Sequence, residues 1–316
     1  MIRHLKKDEI VVRKWDECIK ESVNGMVYAN SWYLDIVAEN WEALVEDDYV
    51  RVFPLIPGTK YGIHYLYQPA FTQQLGIFSR NILSEEIVGE FIQAIPQKYK
   101  FAEINLNTLN RVPKGKYKIE QWKNYELDLI KSYDRIRKNY SDNLNRNLKK
   151  SEKAGLSILK NVKPDEIIRI FRENKGKKIR RYSDEDYLRF QRLIYSGIYK
   201  GKIETYGVFS PHNELCAGIV FLRSDKKMIF LFSGLSETGK ELGAMPFLID
   251  HFISENARHH ITLDFEGSND PGLARFYQGF GSKECTYPHL IINNLPFVTR
   301  SMVKLVKGLR KLTRIK

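Results

Sequence analysis

The segment Leu263-Asp264-Phe265-Glu266-Gly267 sets two carboxylates two residues apart at the end of an apolar alternation. In an extended strand from Ile261 to Phe265, Ile261, Leu263 and Phe265 face one way while Thr262 and Asp264 face the other, and continued alternation puts Glu266 on the side of Asp264. Acids at the C-terminal end of a strand lie where α/β sheets place their ligands. Either one can serve as a general base toward an amine, directly or through a water. A purely structural reading competes for Asp264, as the cap of a turn or the partner of Arg275. Asn269 or Asp270 is expected to cap the short helix begun by Pro271.

A second constellation lies upstream. Ser233 to Ala244 carries Gly234, Gly239 and Gly243 between a strand and a helix, with Lys240 among them. Glycines allow backbone N–H groups to approach a phosphate, a helix start adds about half a positive charge, and Lys240 adds a full one. The stretch is thus a candidate pyrophosphate cradle, or a plain connecting loop. It is not a P-loop, which requires Gly-Lys-Ser/Thr.

Other chemistries lack their residues. The three cysteines (Cys18, Cys216, Cys285) are far apart and form no Cys-x-x-Cys pair, which excludes a disulfide framework and fits a reducing cytoplasm. Only His259 and His260 are adjacent among seven histidines, no His-x-x-x-His pair exists, and no metal is expected. A Gly-x-Ser-x-Gly elbow is absent too, so serine hydrolysis has no support.

The elements that must position these residues follow from periodicity. Strand formers at 49–53, a turn at Pro57-Gly58 and a strand from Gly62 to Tyr67 predict a hairpin, followed by a helix from Ser84, its N-cap, to Ile95 and a strand at Phe101 to Leu106. The order returns as a strand from Leu215 to Arg223, a turn at 224–226, a strand from Met228 to Ser233, a helix to about Asn256 and a strand from Ile261. Leu66 and Phe230 stand 164 positions apart, and Ile104 and Leu263 stand 159 apart. Two copies of one α/β unit are expected, with chance recurrence of a common pattern as the alternative. Between them Arg111 to Lys116 reads as a linker and Tyr125 to Ile130 as a strand. A long helix is predicted over Tyr133–Ala154 with Ile136, Tyr140, Leu144 and Leu148 on its buried stripe, closed by Gly155. Helices near Pro164–Glu173 and Asp184–Tyr199, the latter with a Ser183/Asp186 capping box, precede a strand at Lys202–Phe209.

The strand at Met228–Ser233, the Gly239–Gly243 turn, the Asp264-Phe265-Glu266-Gly267-Ser268 run and Arg275-Phe276-Tyr277-Gln278-Gly279-Phe280-Gly281 are similar to the cofactor half of the GNAT acyltransferase superfamily. Together with Leu148 to Leu156 and Tyr67 to Gly76 they resemble its FemAB-like branch, whose members carry two GNAT-type domains in tandem. The resemblance covers nearly the whole chain up to Pro296. It implies an α/β (α+β) fold of two tandem GNAT-like domains, each a mixed, largely antiparallel sheet flanked by helices. Residues 1–116 would form the acceptor-side domain, 117–297 the donor-side domain and 298–316 a basic amphipathic C-terminal helix.

The activity implied is that of an N-acyltransferase, moving an acyl group from acyl-CoA to an amine. Glu266 is the first choice as catalytic base and Asp264 the second. Gly239, Lys240, Gly243, Ala244, Asn269, Arg275 and Tyr277 would bind the coenzyme A donor. Tyr67, Gln68 and Gln73 would line the groove between the copies and meet a small-molecule or peptide-like amine acceptor. Lys240 to Met245 departs from the Arg/Gln-x-x-Gly-x-Gly/Ala pattern of coenzyme A binders by Lys240 and by Met245 in a small-residue position. Two alternatives therefore stand: aminoacyl transfer from aminoacyl-tRNA to a cell-wall precursor, and a non-catalytic GNAT-fold binding protein. The long helical arm of several tRNA-using enzymes is missing.

Charge and length agree with this outline. The 316 residues suit two domains of about 100–200 residues. A formal charge of +13 suits an anionic partner. Seven basic and no acidic residues fall in Thr299–Lys316, whose Met302, Leu305, Val306, Leu309 and Leu312 share a helical face. That tail would dock on the protein or make peripheral contact with a membrane. Arg146, Lys149, Lys150 and Lys153 form a basic helix face, read first as a solvated surface, and Lys175, Lys177, Lys178, Arg180 and Arg181 form a basic cluster that could meet donor phosphates or tRNA. No DNA partner is expected. The charged N-terminus and the short apolar runs argue against export and against a membrane span, and the protein is expected to be cytoplasmic.

Overall fold

A computed structural model describes residues 1–178, 182–267 and 269–296. Arg180, Arg181, Ser268 and the basic tail lie outside the described residues, as does the side chain of Lys178. The chain divides into two compact units, one built from Met1–Gln121 with residues from Tyr287 onward, the other from Trp122–Thr286.

In the first unit, strands Ile2–Leu5, Glu42–Glu46, Arg51–Leu55 and Phe78–Ser79 form an antiparallel sheet in that order. Its neighbouring core holds Phe53, Leu55, Leu66, Val88 and Phe91. The hairpin differs from expectation. Arg51–Leu55 pairs with the preceding Glu42–Glu46, and Pro57-Gly58 opens a strand, Pro57–Lys60, that pairs with Ile63–Leu66 across a turn at Tyr61-Gly62. Both turn residues take positive φ, 52° and 72°, which suits a tight two-residue connection; Pro57 is tolerated at the first position of a strand. Helix Glu85–Gln93 follows, with the Ser84 side chain accepting from the Ile87 amide and Glu85 and Glu86 in the first turn. Strand Phe101–Asn105 then returns parallel to Ile63–Leu66.

The second unit repeats this module. Leu215–Ser224 and Lys227–Leu235 form the hairpin, helix Ala244–Asn256 crosses over, and Thr262–Asp264 returns parallel to Lys227–Leu235. Strands Ile203–Phe209 and Ser157–Lys160 extend the sheet beyond the hairpin, and Lys118–Asp128 pairs antiparallel with Thr262–Asp264. Leu248, Phe252, Leu144 and Leu148 pack with Ile219, Phe221 and Phe230 on one face. Helix Pro164–Glu173 covers the other. There Gly218 and Gly234 face each other, and a Cβ on either would lie 2.6 Å from Ile167 Cγ1 or 2.4 Å from the Ile167 carbonyl oxygen. The glycines let the helix rest on the backbone.

The capping box at Ser183/Asp186 and the helix Asp184–Tyr199 form as predicted. The long helix does not. It breaks into Tyr133–Arg137 and Asp142–Lys153, because Ser141 caps the second piece by accepting from the Leu144 amide while its own N–H donates to the Gly279 carbonyl. Ile136, Tyr140, Leu144 and Leu148 are nevertheless all buried.

Candidate functional site

The parallel pairing of Lys227–Leu235 with Thr262–Asp264 lasts three residue pairs, from Lys227/Thr262 to Ile229/Asp264. Beyond Asp264 the chain leaves the strand. Glu266 takes φ 52° and Gly267 φ 36°, a left-handed conformation that costs a non-glycine residue about 1–2 kcal/mol. Gly267 cannot be replaced without movement, since a Cβ would sit 2.1 Å from the Lys123 carbonyl oxygen.

This turn separates the two acids. Asp264 is 1% exposed. Its Oδ1 accepts from Asn124 Nδ2 at 3.0 Å and from the Glu266 amide at 2.9 Å, and its Oδ2 lies 3.4 Å from Lys227 Nζ. Lys227 also reaches Glu126 at 2.5 Å. Burial works against the lysine's charge, but Asp264 and Glu126 outweigh it and raise its pKa above the ordinary value. Asp264 therefore caps a turn, as its structural reading held, and its cationic partner is Lys227 instead of Arg275. The expected shared face is corrected: the strand ends at Asp264, and left-handed backbone breaks the alternation before Glu266.

Glu266 stands otherwise. Its Oε1 is buried and makes no hydrogen bond among the described residues. Burial pushes its pKa well above the ordinary 4.5. Its charge is felt by Tyr277, whose hydroxyl is raised by burial and then by Glu266 and Asp270, and so keeps its proton at neutral pH. Tyr277 stacks on Phe265 with centroids 4.8 Å apart and lies within 6.3 Å of Tyr125 and Phe230. Burial of this kind strengthens a carboxylate as a base.

The other expected residues disperse. Asn269 Oδ1 accepts from the Lys123 amide, and Asp270 is the N-cap, accepting from the Gly272 and Leu273 amides. Arg275 is exposed, and its Nε donates to the Pro271 carbonyl. Gly239 is corrected: it sits inside helix Glu237–Leu242, its amide donates to Ser236 Oγ, and a Cβ would lie 2.1 Å from the Cys216 carbonyl oxygen. The Lys240 amide is likewise taken, by the Ser236 carbonyl. Gly243 is the left-handed joint to helix Ala244–Asn256, approached by the Asn147 backbone, and Ala244 is fully buried. The Gly239 and Lys240 amides are therefore not open to a pyrophosphate, and the exposed Lys240 side chain, 3.9 Å from Glu237, is the charged group this segment offers to a phosphate. In the first unit, Gln68 donates to the Thr72 carbonyl and accepts from the Asn105 amide, and Gln73 Oε1 accepts from Gln74. Gln68 thereby ties the loop after Leu66 to the strand Phe101–Asn105. Tyr67 is about one-third exposed.

The sequence reading missed Lys227, Asn124 and Glu126. A signal existed: Asn124, Glu126 and Asp128 alternate with Tyr125, Leu127 and Leu129, which marks a polar face on a strand. Among the described residues no cluster of His, Cys, Asp or Glu could hold a metal, and no helix is long and apolar enough to cross a membrane.

No family model matches the chain, and no curated protein does. Solved structures do. FemX superposes with a TM-score of 0.62 at 12% identity over 96% of this chain and 99% of its own. L-PGS from Bacillus licheniformis gives 0.57 at 13% over 93% and 96%. The C-terminal domain of a putative lysylphosphatidylglycerol synthetase from Agrobacterium fabrum gives 0.58 at 10% over 94% and 95%. The chain thus shares the overall fold of these three proteins across nearly its whole length.

Proposed function

We propose that the protein is an N-acyltransferase that moves an acyl group from an activated donor, acyl-CoA in the first instance, to an amine. The observation that carries this reading is Glu266: a carboxyl of raised pKa just past the end of the return strand, its Oε1 buried and without a hydrogen bond among the described residues, on the fold shared with FemX. Glu266 takes the proton from the attacking amine as nitrogen bonds to the acyl carbon. The bond to the donor's sulfur or oxygen then breaks. The rate comes chiefly from positioning the two reactants in a site that excludes water. Tyr277 faces the same place as a neutral hydroxyl, Lys240 would meet donor phosphate, and Tyr67 remains the acceptor-side candidate of the first unit. Glu266→Gln should lower turnover at least tenfold with donor affinity retained; unchanged turnover would remove Glu266 from the mechanism.

A second reading, aminoacyl transfer from aminoacyl-tRNA, is favoured by the closed turn at Gly243-Ala244 and by Arg146, Lys149, Lys150 and Lys153. All four are exposed, and none forms a salt bridge among the described residues. Thermal-shift titrations with acetyl-CoA and with charged tRNA separate the two, since a ligand at 100 times its Kd adds about 2.7 kcal/mol of stability. Binding of tRNA would also weaken steeply with salt. A protein that answers neither donor would be a binding module on the same fold.

A further inference from the structure

The acid that the sequence offers as a second base does something else. Asp264 Oδ1 is shared between two donors, the side chain of Asn124 on the neighbouring strand and the backbone N–H of Glu266 two residues ahead. The second bond closes a turn around Phe265, and at that turn the backbone enters the left-handed region at Glu266 and Gly267. An aspartate bonded to the amide two residues on is a recognised way of fixing such a bend. The other carboxylate oxygen is tied to Lys227, which bridges to Glu126 and so links the return strand to both neighbours at once. Asp264 is thereby held from two sides at the start of the left-handed turn. Among the described residues no hydrogen bond holds the buried Glu266 Oε1, so the backbone turn is what directs this side chain.

We infer that Asp264 is a positioning residue: its carboxylate clamps the Glu266 amide and holds the Glu266 carboxyl in its buried place beside Tyr277, with Asn124 and Lys227 orienting the clamp. The inference rests on Glu266 being the base, but it is tested without any acyl donor.

Carboxyl-¹³C glutamate labelling follows the Glu266 titration by NMR in the wild type, Asp264→Asn and Asp264→Ala, with near-UV circular dichroism as the check on packing. An asparagine at 264 still offers Oδ1 to the Glu266 amide; alanine offers nothing. The expected result is a raised Glu266 pKa in the wild type, a value within half a unit of it in Asp264→Asn, and a fall of more than one unit in Asp264→Ala. A folded Asp264→Ala that keeps the raised value, or an Asp264→Asn that loses as much as the alanine variant, overturns the clamp. Should Asp264→Ala not fold, hydrogen exchange of the Glu266 amide decides. A clamped N–H exchanges at least tenfold more slowly in both the wild type and Asp264→Asn than an open turn allows, whereas fast exchange in either refutes the bond. If the clamp passes but Glu266→Gln leaves acetyl-CoA turnover unchanged, the acyl-transfer role fails alone.

Discussion

The return strands of the two hairpin–helix–strand modules can be set against each other at a single offset, and they differ where they end. At the offset of 159 that joins Ile104 to Leu263, Asn105 corresponds to Asp264 and Asn107 to Glu266. In the first unit both positions are neutral amides with every need met. Asn105 Nδ2 donates to the Gln73 carbonyl, and its Oδ1 accepts from His289. Asn107 donates to the carbonyls of Leu75 and Ile77 and accepts from Asn24 and the Leu109 amide. In the second unit both positions are acids, and the buried Oε1 of Glu266 has no hydrogen-bond partner among the described residues. One module has been closed into a structural network. The other keeps a buried carboxyl oxygen with no partner among the described residues, which a fold retains at a cost in stability.

The helix starts differ in the same sense. Ser84 caps the first unit's helix and two glutamates complement its dipole, whereas helix Ala244–Asn256 has no side-chain cap and no acidic residue in its first turn.

Substitutions can break this contrast, and the largest effect belongs to the charged module. Lys227→Met leaves Asp264 buried with no cation and should cost about 3–5 kcal/mol in chemical denaturation; a cost under about 1 kcal/mol would mean that the ion pair is dispensable. Gly267→Ala must fit a Cβ against Lys123 and hold a left-handed φ, for about 3 kcal/mol or more. Gly115→Ala in the first unit, where φ is also positive but the space is open, should cost only about 1 kcal/mol. Asn107→Asp transplants an acid into the closed network, facing two carbonyl oxygens. Its raised pKa should make the variant about 2–3 kcal/mol less stable than wild type at pH 7, with the loss shrinking toward pH 4 as the acid is protonated. Smallest is Ser84→Ala, about 1 kcal/mol for a lost cap.

Local chemistry was the legible part. The Ser84 cap, the Ser183/Asp186 box and the helix Pro164–Glu173 follow from side chains that bond within three residues of themselves or from proline at a helix start. The repeat was legible because hydrophobic periodicity survives where identity does not. Illegible were features set by distant partners. Ser141 broke a helix whose apolar stripe runs on, since Gly279 supplied the competing bond. Gly239 looked like a phosphate-approach glycine and is a packing glycine against Cys216. Lys227, Glu126 and Asp264 come from three stretches that only sheet register brings together.

The central claim is that Glu266 is held folded in a place that resists its ionisation. Below its ordinary pKa of 4.5 the group is protonated in folded and unfolded chains alike, and the stability is whole. As pH rises past that value the unfolded chain releases its proton first, so stability falls by about 1.4 kcal/mol per unit until the folded group ionises too. Glutamine at 266 lacks this loss. Unfolding free energies of the wild type and Glu266→Gln, measured from pH 4 to pH 8, should therefore diverge in favour of the glutamine variant as pH rises. Parallel curves across that range would contradict the account.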